Sequence, residues 1–174
     1  DMDRDRKAIS AFNDSSLPID FPSAYWSKPQ SQHFNVPLMV DNQLIERAPD
    51  QRMLTRTYTD KSLAYIRQNQ DKPFFLYLSF SMPHVPLFRS PAFEGKSTAG
   101  LYGDVIEEVD ASVGRIIAEL KSLDISDNTL VVFTSDNGPW LKYKTLGGSA
   151  GLLKEGKSTA WEGGMRVPAV VWGP

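Results

Sequence analysis

Thr129-Leu-Val-Val-Phe-Thr-Ser-Asp-Asn-Gly-Pro139 is the stretch that decides the fold. Thr129 to Thr134 is a short apolar, β-branched run. It is too short for a helix and is closed by a Gly-Pro breaker, so it reads as a buried strand. Asp136 and Asn137 stand at its carboxyl end. In an open α/β sheet, ligands collect just beyond the carboxyl ends of the strands. A carboxylate and an amide carbonyl fixed there are two hard oxygen donors of the kind that calcium or magnesium takes. Asp-Asn-Gly also suits a plain turn with no ligand, since all three residues tolerate left-handed backbone.

Upstream, Ser97 to Leu123 gives the clearest helical period of the chain. Leu101, Val105, Ile106, Val109, Val113, Ile116, Ile117 and Leu120 share one face, wide enough to pack on a sheet. Asp124-Ile-Ser-Asp-Asn128 leads from it into the strand. Before it, Phe74-Phe-Leu-Tyr-Leu-Ser-Phe80 is apolar almost throughout, which predicts a strand covered on both faces, as in a parallel sheet. A helix precedes that strand. Asp50 can cap it, Leu54, Tyr58, Tyr65 and Ile66 fall on one face, and Asp71-Lys-Pro73 ends it. Helix, strand, helix, strand is a βαβ crossover, normally right-handed, with its two strands parallel. Downstream, Val167-Pro-Ala-Val-Val-Trp172 predicts a third strand. The fold class is therefore α/β, a predominantly parallel β-sheet flanked by helices, with 50–174 as its core.

Residues 1–49 carry little periodicity and five prolines, and read as an irregular excursion with Pro37-Leu-Met-Val40 as a short strand. The whole chain of 174 residues suits one domain. Nineteen basic against 21 acidic residues give a net charge of −2, and no basic run points to nucleic acid. No apolar segment approaches the roughly 20 residues of a membrane span. The start at Asp1 and the end in Val-Trp-Gly-Pro174 look cut, so the reading is of an internal piece. With no cysteine, the stretch holds no disulfide, thiolate metal site or cysteine nucleophile. The single Asn13-Asp14-Ser15 sequon carries no weight by itself.

Parallel strands end on one side, so the loop after Phe80, which holds His84, is expected to open on the same rim as Asp136 and Asn137. Pro83 and Pro86 restrict the backbone on either side of that imidazole. A histidine with a satisfied hydrogen bond in a loop is the plain alternative. His33, in a polar stretch, reads as a surface residue. Gly151-Leu-Leu-Lys-Glu-Gly-Lys-Ser158 formally matches a phosphate-binding P-loop. It lacks the context that motif needs, because no strand runs into Gly151 and Thr-Ala-Trp-Glu-Gly-Gly164 cannot sustain a helix. What survives is Lys157 on a glycine-rich turn, able to approach an anion closely or simply to be solvated.

Four blocks in order resemble the sulfatases, of the arylsulfatase A-like branch within the alkaline-phosphatase-like superfamily. They are Lys72-Pro-Phe-Phe-Leu-Tyr-Leu-Ser-Phe-Ser-Met-Pro-His-Val-Pro86, Tyr102-Gly-Asp-Val-Ile-Glu-Glu-Val-Asp110, Thr129 to Pro139, and Gly151-Leu-Leu-Lys-Glu-Gly-Lys-Ser-Thr-Ala-Trp-Glu-Gly-Gly-Met-Arg-Val-Pro168. The resemblance covers about residues 50–174 and implies an incomplete catalytic domain of a sulfuric ester hydrolase. It implies Asp136 and Asn137 as two ligands of the family's single calcium. His84 becomes the histidine beside the sulfate and the leaving oxygen, and Lys157 the lysine on a sulfate oxygen. It also implies an aryl or carbohydrate sulfate as substrate and an extracytoplasmic site of action. The family's nucleophile is a formylglycine made from the Cys or Ser of a C/S-x-P-S-R motif. No such motif exists in this chain; Phe21-Pro-Ser-Ala24 lacks both the nucleophile position and the arginine. The family's upstream aspartate pair, lysine and histidine are absent too. The expectation is a chain that alone neither turns over nor binds calcium tightly. Two alternatives stay open: a phosphodiesterase or phosphonate hydrolase of the same superfamily, and a binding relative without catalysis.

Overall fold

The computed structural model describes residues 28, 29, 31 and 36–174. The sequon at Asn13, the Phe21–Ala24 stretch and His33 lie outside them.

Strand β1 (Pro37–Val40) forms as expected, and Gln43–Arg47 is a second strand, β2, in what was read as an irregular excursion. The two pair antiparallel from Pro37↔Arg47 to Val40↔Gln43. Asp41 makes the turn with a φ of 53°, a left-handed conformation that aspartate tolerates. All five residues of β2 are exposed, so no alternation of polar and apolar side chains marks it in the sequence.

Asp50 starts the next element. Its Oδ1 accepts from the backbone N–H of Arg52 (3.0 Å), capping a single 3-10 turn over Gln51–Met53 that runs into helix α1 (Leu54–Asn69). The face α1 buries is Leu54, Thr55, Thr59, Ser62, Leu63 and Ile66. Its hydroxyls cost little to bury because the helix satisfies them. Thr59 Oγ1 donates to the Thr55 carbonyl (2.7 Å) and Ser62 Oγ to that of Tyr58 (2.8 Å). Tyr58 is half-buried, while Tyr65 sits at the edge of the face and meets Phe74 edge-on at 6.0 Å.

Helix α2 (Gly100–Ser122) realises the long amphipathic period, with Val105, Val109 and Leu120 buried. Each such side chain contributes about 1.5–3 kcal/mol by leaving water. Its end is a Schellman motif. Asp124 turns left-handed at φ 56°, its N–H donates to Lys121 O (3.1 Å), and that of Ile125 to Leu120 O (3.1 Å). Helices α1 and α2 pack together and are bridged at their rim by Arg67 on Glu119 (2.7 Å) and Arg115 on Asp60 (2.6 Å). The core lies between α2 and the proline-rich loop: Met82, Val85, Leu87 and Phe88 close on Val105 and Val109.

Strands β3 (Val131–Thr134) and β4 (Ala169–Trp172) form where expected, with a one-turn helix α3 (Glu162–Met165) before β4. The α/β class stands, but the strand pairing within this chain differs from the expected one. Both sheets among the described residues are two-stranded and antiparallel; β3 takes β4, from Val131↔Trp172 to Thr134↔Ala169, and has no parallel partner. Phe74–Phe80 belongs to neither sheet. It keeps the extended alternation of a strand, with Phe75 and Tyr77 84% and 79% exposed and Phe74, Leu76, Leu78 and Phe80 half-buried. An apolar run reports that both faces want cover. It does not report which chain supplies the ladder, which is a tertiary property.

Candidate active site

Beyond Thr134 the chain bends through Ser135, Asp136 and Asn137. Asp136 is exposed and Asn137 half-buried. The Asn137 Nδ2 donates to Asp136 Oδ1, and Ser135 Oγ donates to the Asn137 carbonyl (3.0 Å). This leaves Asp136 Oδ2 and Asn137 Oδ1 with free lone pairs, two hard oxygens on adjacent residues. Calcium takes about six to eight. Among the described residues no three His, Asp or Glu side chains gather into a metal cage. The pair fits calcium in kind and supplies only part of its coordination.

The bend is fixed by close backbone packing against the glycine-rich segment. Gly138 N–H donates to Gly164 O (2.9 Å), and Lys157 N–H donates to Pro139 O (2.8 Å). Gly163 N–H in turn donates to Lys154 O (2.8 Å). A Cβ on Gly138 would strike the Gly163 carbonyl, one on Gly156 the Pro139 carbonyl, and one on Gly163 the Glu155 carbonyl. These glycines are spacers that let two backbones touch. The P-loop reading is correctly excluded here, since the segment after Gly151 is a series of turns and no helix follows Lys157 until the four residues of α3. Gly138→Ala is expected to destabilise by about 1–3 kcal/mol, as overpacking does. Gly114→Ala, on an open position of α2, is expected to stabilise by about 0.5–1 kcal/mol. Urea midpoints of the two variants check the contrast.

His84 lies in the loop between Met82 and Pro86, whose Met82–Pro83 and Val85–Pro86 peptides are both cis. Its Nδ1 is 2.7 Å from the Val85 carbonyl. A carbonyl can only accept, so Nδ1 carries a proton, and Nε2 on the other edge of this exposed residue's ring is not part of that bond. Two carboxylates one turn apart on α2 tie this loop down. Glu108 Oε2 accepts from Ser90 N–H (2.8 Å). Asp104, 2% exposed, accepts from Gly95 N–H (2.9 Å) and Ser97 N–H (2.8 Å), with Arg89 Nε 2.8 Å from its Oδ2. The Arg89 contact is an ion pair without a directed hydrogen bond, since that N–H is not aimed at the oxygen. Burial pushes the Asp104 carboxyl up. The N–H groups of Ser97, Gly95 and Lys96, together with the Arg89 charge, outweigh that and hold it below the usual carboxylate range.

Trp140 joins the two remaining candidates. The His84 ring lies 5.7 Å from the indole at 55°, and Lys157 Nζ stands over it at 5.1 Å. Asp136 and Asn137 connect to that cluster through the three residues Gly138 to Trp140 rather than by a side-chain contact. The sequence reading brought His84 to Asp136 by parallel strands. The structure brings it to Lys157 by an aromatic ring instead. Sequence reasoning misses Trp140; an aromatic three positions after an Asx pair, in a loop that returns to glycine, is the one signal the sequence carries for it.

The family description "Sulfatase" matches residues 12–174. Steryl-sulfatase of Mus musculus is 42% identical over 142 residues, covering 79% of this chain and 23% of that protein. N-acetylgalactosamine-6-sulfatase of Sus scrofa is 47% identical over 124 residues, covering 70% of this chain and 24% of that protein. Among solved structures, the PsFucS1 sulfatase from Pseudoalteromonas sp. superposes with a TM-score of 0.66 at 37% identity, covering 71% of this chain and 25% of that one. The chain spans about a quarter of the length of these relatives.

Proposed function

Because the chain belongs to the sulfatase family, whose fold is the alkaline-phosphatase-like α/β fold, we propose that it forms part of the catalytic domain of a sulfuric ester hydrolase. In this reading Lys157 Nζ draws charge from a sulfate oxygen, and His84, as the imidazolium with both ring nitrogens protonated, delivers its Nε2 proton to the departing alkoxide oxygen and keeps the Nδ1 proton on Val85 O. Asp136 and Asn137 supply two oxygens to a calcium ion, which when bound would polarise the sulfate. The observation that carries the reading is the meeting of His84 and Lys157 on one ring, that of Trp140, four residues after Asp136 and three after Asn137. A cation and a proton donor held together beside two hard oxygens suit an anionic ester whose leaving oxygen gains charge.

The nucleophile, a formylglycine in this family, would come from another part of the polypeptide, since this chain has no cysteine and no C/S-x-P-S-R motif. The steryl and N-acetylgalactosamine-6 names of the relatives support a sulfate ester, aryl or carbohydrate, as the reacting group. An extracytoplasmic place of action goes with the family. No helix among the described residues is long and apolar enough to cross a membrane.

The test is a paired assay of the complete polypeptide on 4-nitrophenyl sulfate and 4-nitrophenyl phosphate, with and without a calcium chelator. Chelator-sensitive hydrolysis of the sulfate is the expected result, and the 174-residue chain alone is expected to give none. Preference for the phosphate would move the reading to a phosphoester hydrolase of the same superfamily. Turnover by the isolated chain would remove the need for an outside nucleophile and overturn the proposal.

A further inference from the structure

Lysine carries a compact charge on a flexible four-carbon stem, with about 2 kcal/mol of rotamer entropy to lose on being fixed. Among the described residues no ion pair or side-chain hydrogen bond holds Lys157 Nζ, which stands over the face of Trp140 at 5.1 Å. His84 is fixed at Nδ1 by Val85 O, and its ring lies 5.7 Å from the same indole. Trp140 is itself well held. Its backbone N–H donates to Gly147 O (3.1 Å), Tyr143 meets the ring edge-on at 4.7 Å, and the ring is packed against the core cluster under the proline loop. A rigid ring that touches both groups sets their spacing. An ammonium has three donors, so one side can rest on the indole while another faces an anion.

We infer that Trp140 is a positioning residue that holds the His84 imidazole and the Lys157 ammonium at one fixed separation about the sulfate group. The inference rests on the roles proposed above for His84 and Lys157. Its effect is through geometry, where a displacement of about 1 Å can cost on the order of 100-fold in rate.

The experiment compares Trp140→Leu, Trp140→Phe, His84→Ala and Lys157→Ala in the complete sulfatase polypeptide. Leucine keeps an apolar side chain but removes the π face; phenylalanine keeps a face. Expected for Trp140→Leu is a fall in kcat of about tenfold or more, with KM changed by less than about threefold, and recovery of most of kcat in Trp140→Phe. Ring-current shifts of the Lys157 side-chain protons and the His84 ring protons are expected to survive in the Phe variant and vanish in the Leu variant. That NMR readout reports on position even where activity is low. A kcat in Trp140→Leu within about twofold of the parent, while His84→Ala and Lys157→Ala lose activity, overturns the inference and leaves the proposed function standing. Equal loss in the Phe and Leu variants also overturns it. Unchanged kcat in both alanine variants sinks the roles of His84 and Lys157, and the inference with them.

Discussion

Lys157→Ala in the complete sulfatase polypeptide is expected to lower kcat/KM toward a sulfate ester by about 10²–10³-fold, the usual cost of losing one donor aimed at developing charge. Lys157→Arg is not expected to restore the rate, because the larger guanidinium can stack on the Trp140 ring but spreads its charge over a planar fork and cannot place it where the compact ammonium stands. His84→Ala is expected to cost about 10²–10⁴-fold, and unevenly. A nitrophenolate leaves without help, whereas an alkoxide of a sugar or an aliphatic alcohol needs its proton in the transition state. The deficit should therefore grow with the basicity of the leaving oxygen. Plotting log kcat/KM against leaving-group pKa for the parent and the variant reads this directly as a steeper slope. A parallel line for His84→Ala would mean that its ring binds or orients and does not protonate. A Lys157→Ala rate within about threefold of the parent would remove Lys157 from the site.

Asp104→Ala is expected to destabilise the fold by about 3–5 kcal/mol, the cost of breaking a buried, hydrogen-bonded charge by taking one partner away. It strands the N–H groups of Gly95 and Ser97 and leaves Arg89 with the exposed Glu94 as its remaining acidic partner. Asp104→Asn should not rescue fully. Each of the two backbone donors has its own carboxylate oxygen, and an amide would turn an NH₂ toward one of them. The pH dependence has a definite sign. The folded-state carboxyl lies below its ordinary range, so its stabilisation is fully present above about pH 4–5, near and beyond the free aspartate value. It fades as pH falls through the folded value. Urea midpoints of parent and Asp104→Asn at a series of pH values should therefore lie far apart at neutral pH and converge under acid. A constant gap would show that the carboxylate charge is not what matters. The loop these bonds hold is the one that carries His84, so the variant should also lower activity before it unfolds.

Local periodicity made much of this legible. The apolar period of α2, the capping Asp50 and the β-branched run at Val131–Thr134 are each a statement about nearest neighbours along the chain, and each element formed where expected, although Ile106 and most of the Val131–Thr134 strand, read as buried, are exposed in this chain. What stayed hidden depends on contacts between distant segments. Nothing in Gln43–Arg47, exposed throughout, distinguishes it from loop. The helical period does not mark Asp104 and Glu108 as buried, yet both are, because the loop seven to eighteen residues upstream lays its N–H groups on them. The antiparallel pairing of β3 with β4, segments far apart in the chain, is hidden for the same reason. At the site, Asp136, Asn137, His84 and Lys157 stood out by residue type and setting, whereas Trp140 has no chemical reactivity to draw the eye and matters only for what it touches.

The extended segment Phe74–Phe80 has a consequence for anyone preparing this chain by itself. It lies outside both sheets and turns Phe75 and Tyr77 outward. In water that is an adhesive edge: unsatisfied ladder groups beside two bare aromatic rings, the combination by which chains template one another into fibrils. As concentration rises, the nearest copy of the same ribbon becomes the readiest source of the missing hydrogen bonds. Solubility, rather than unfolding, is then expected to set the working limit of the isolated 174-residue chain, which light scattering over a concentration series checks.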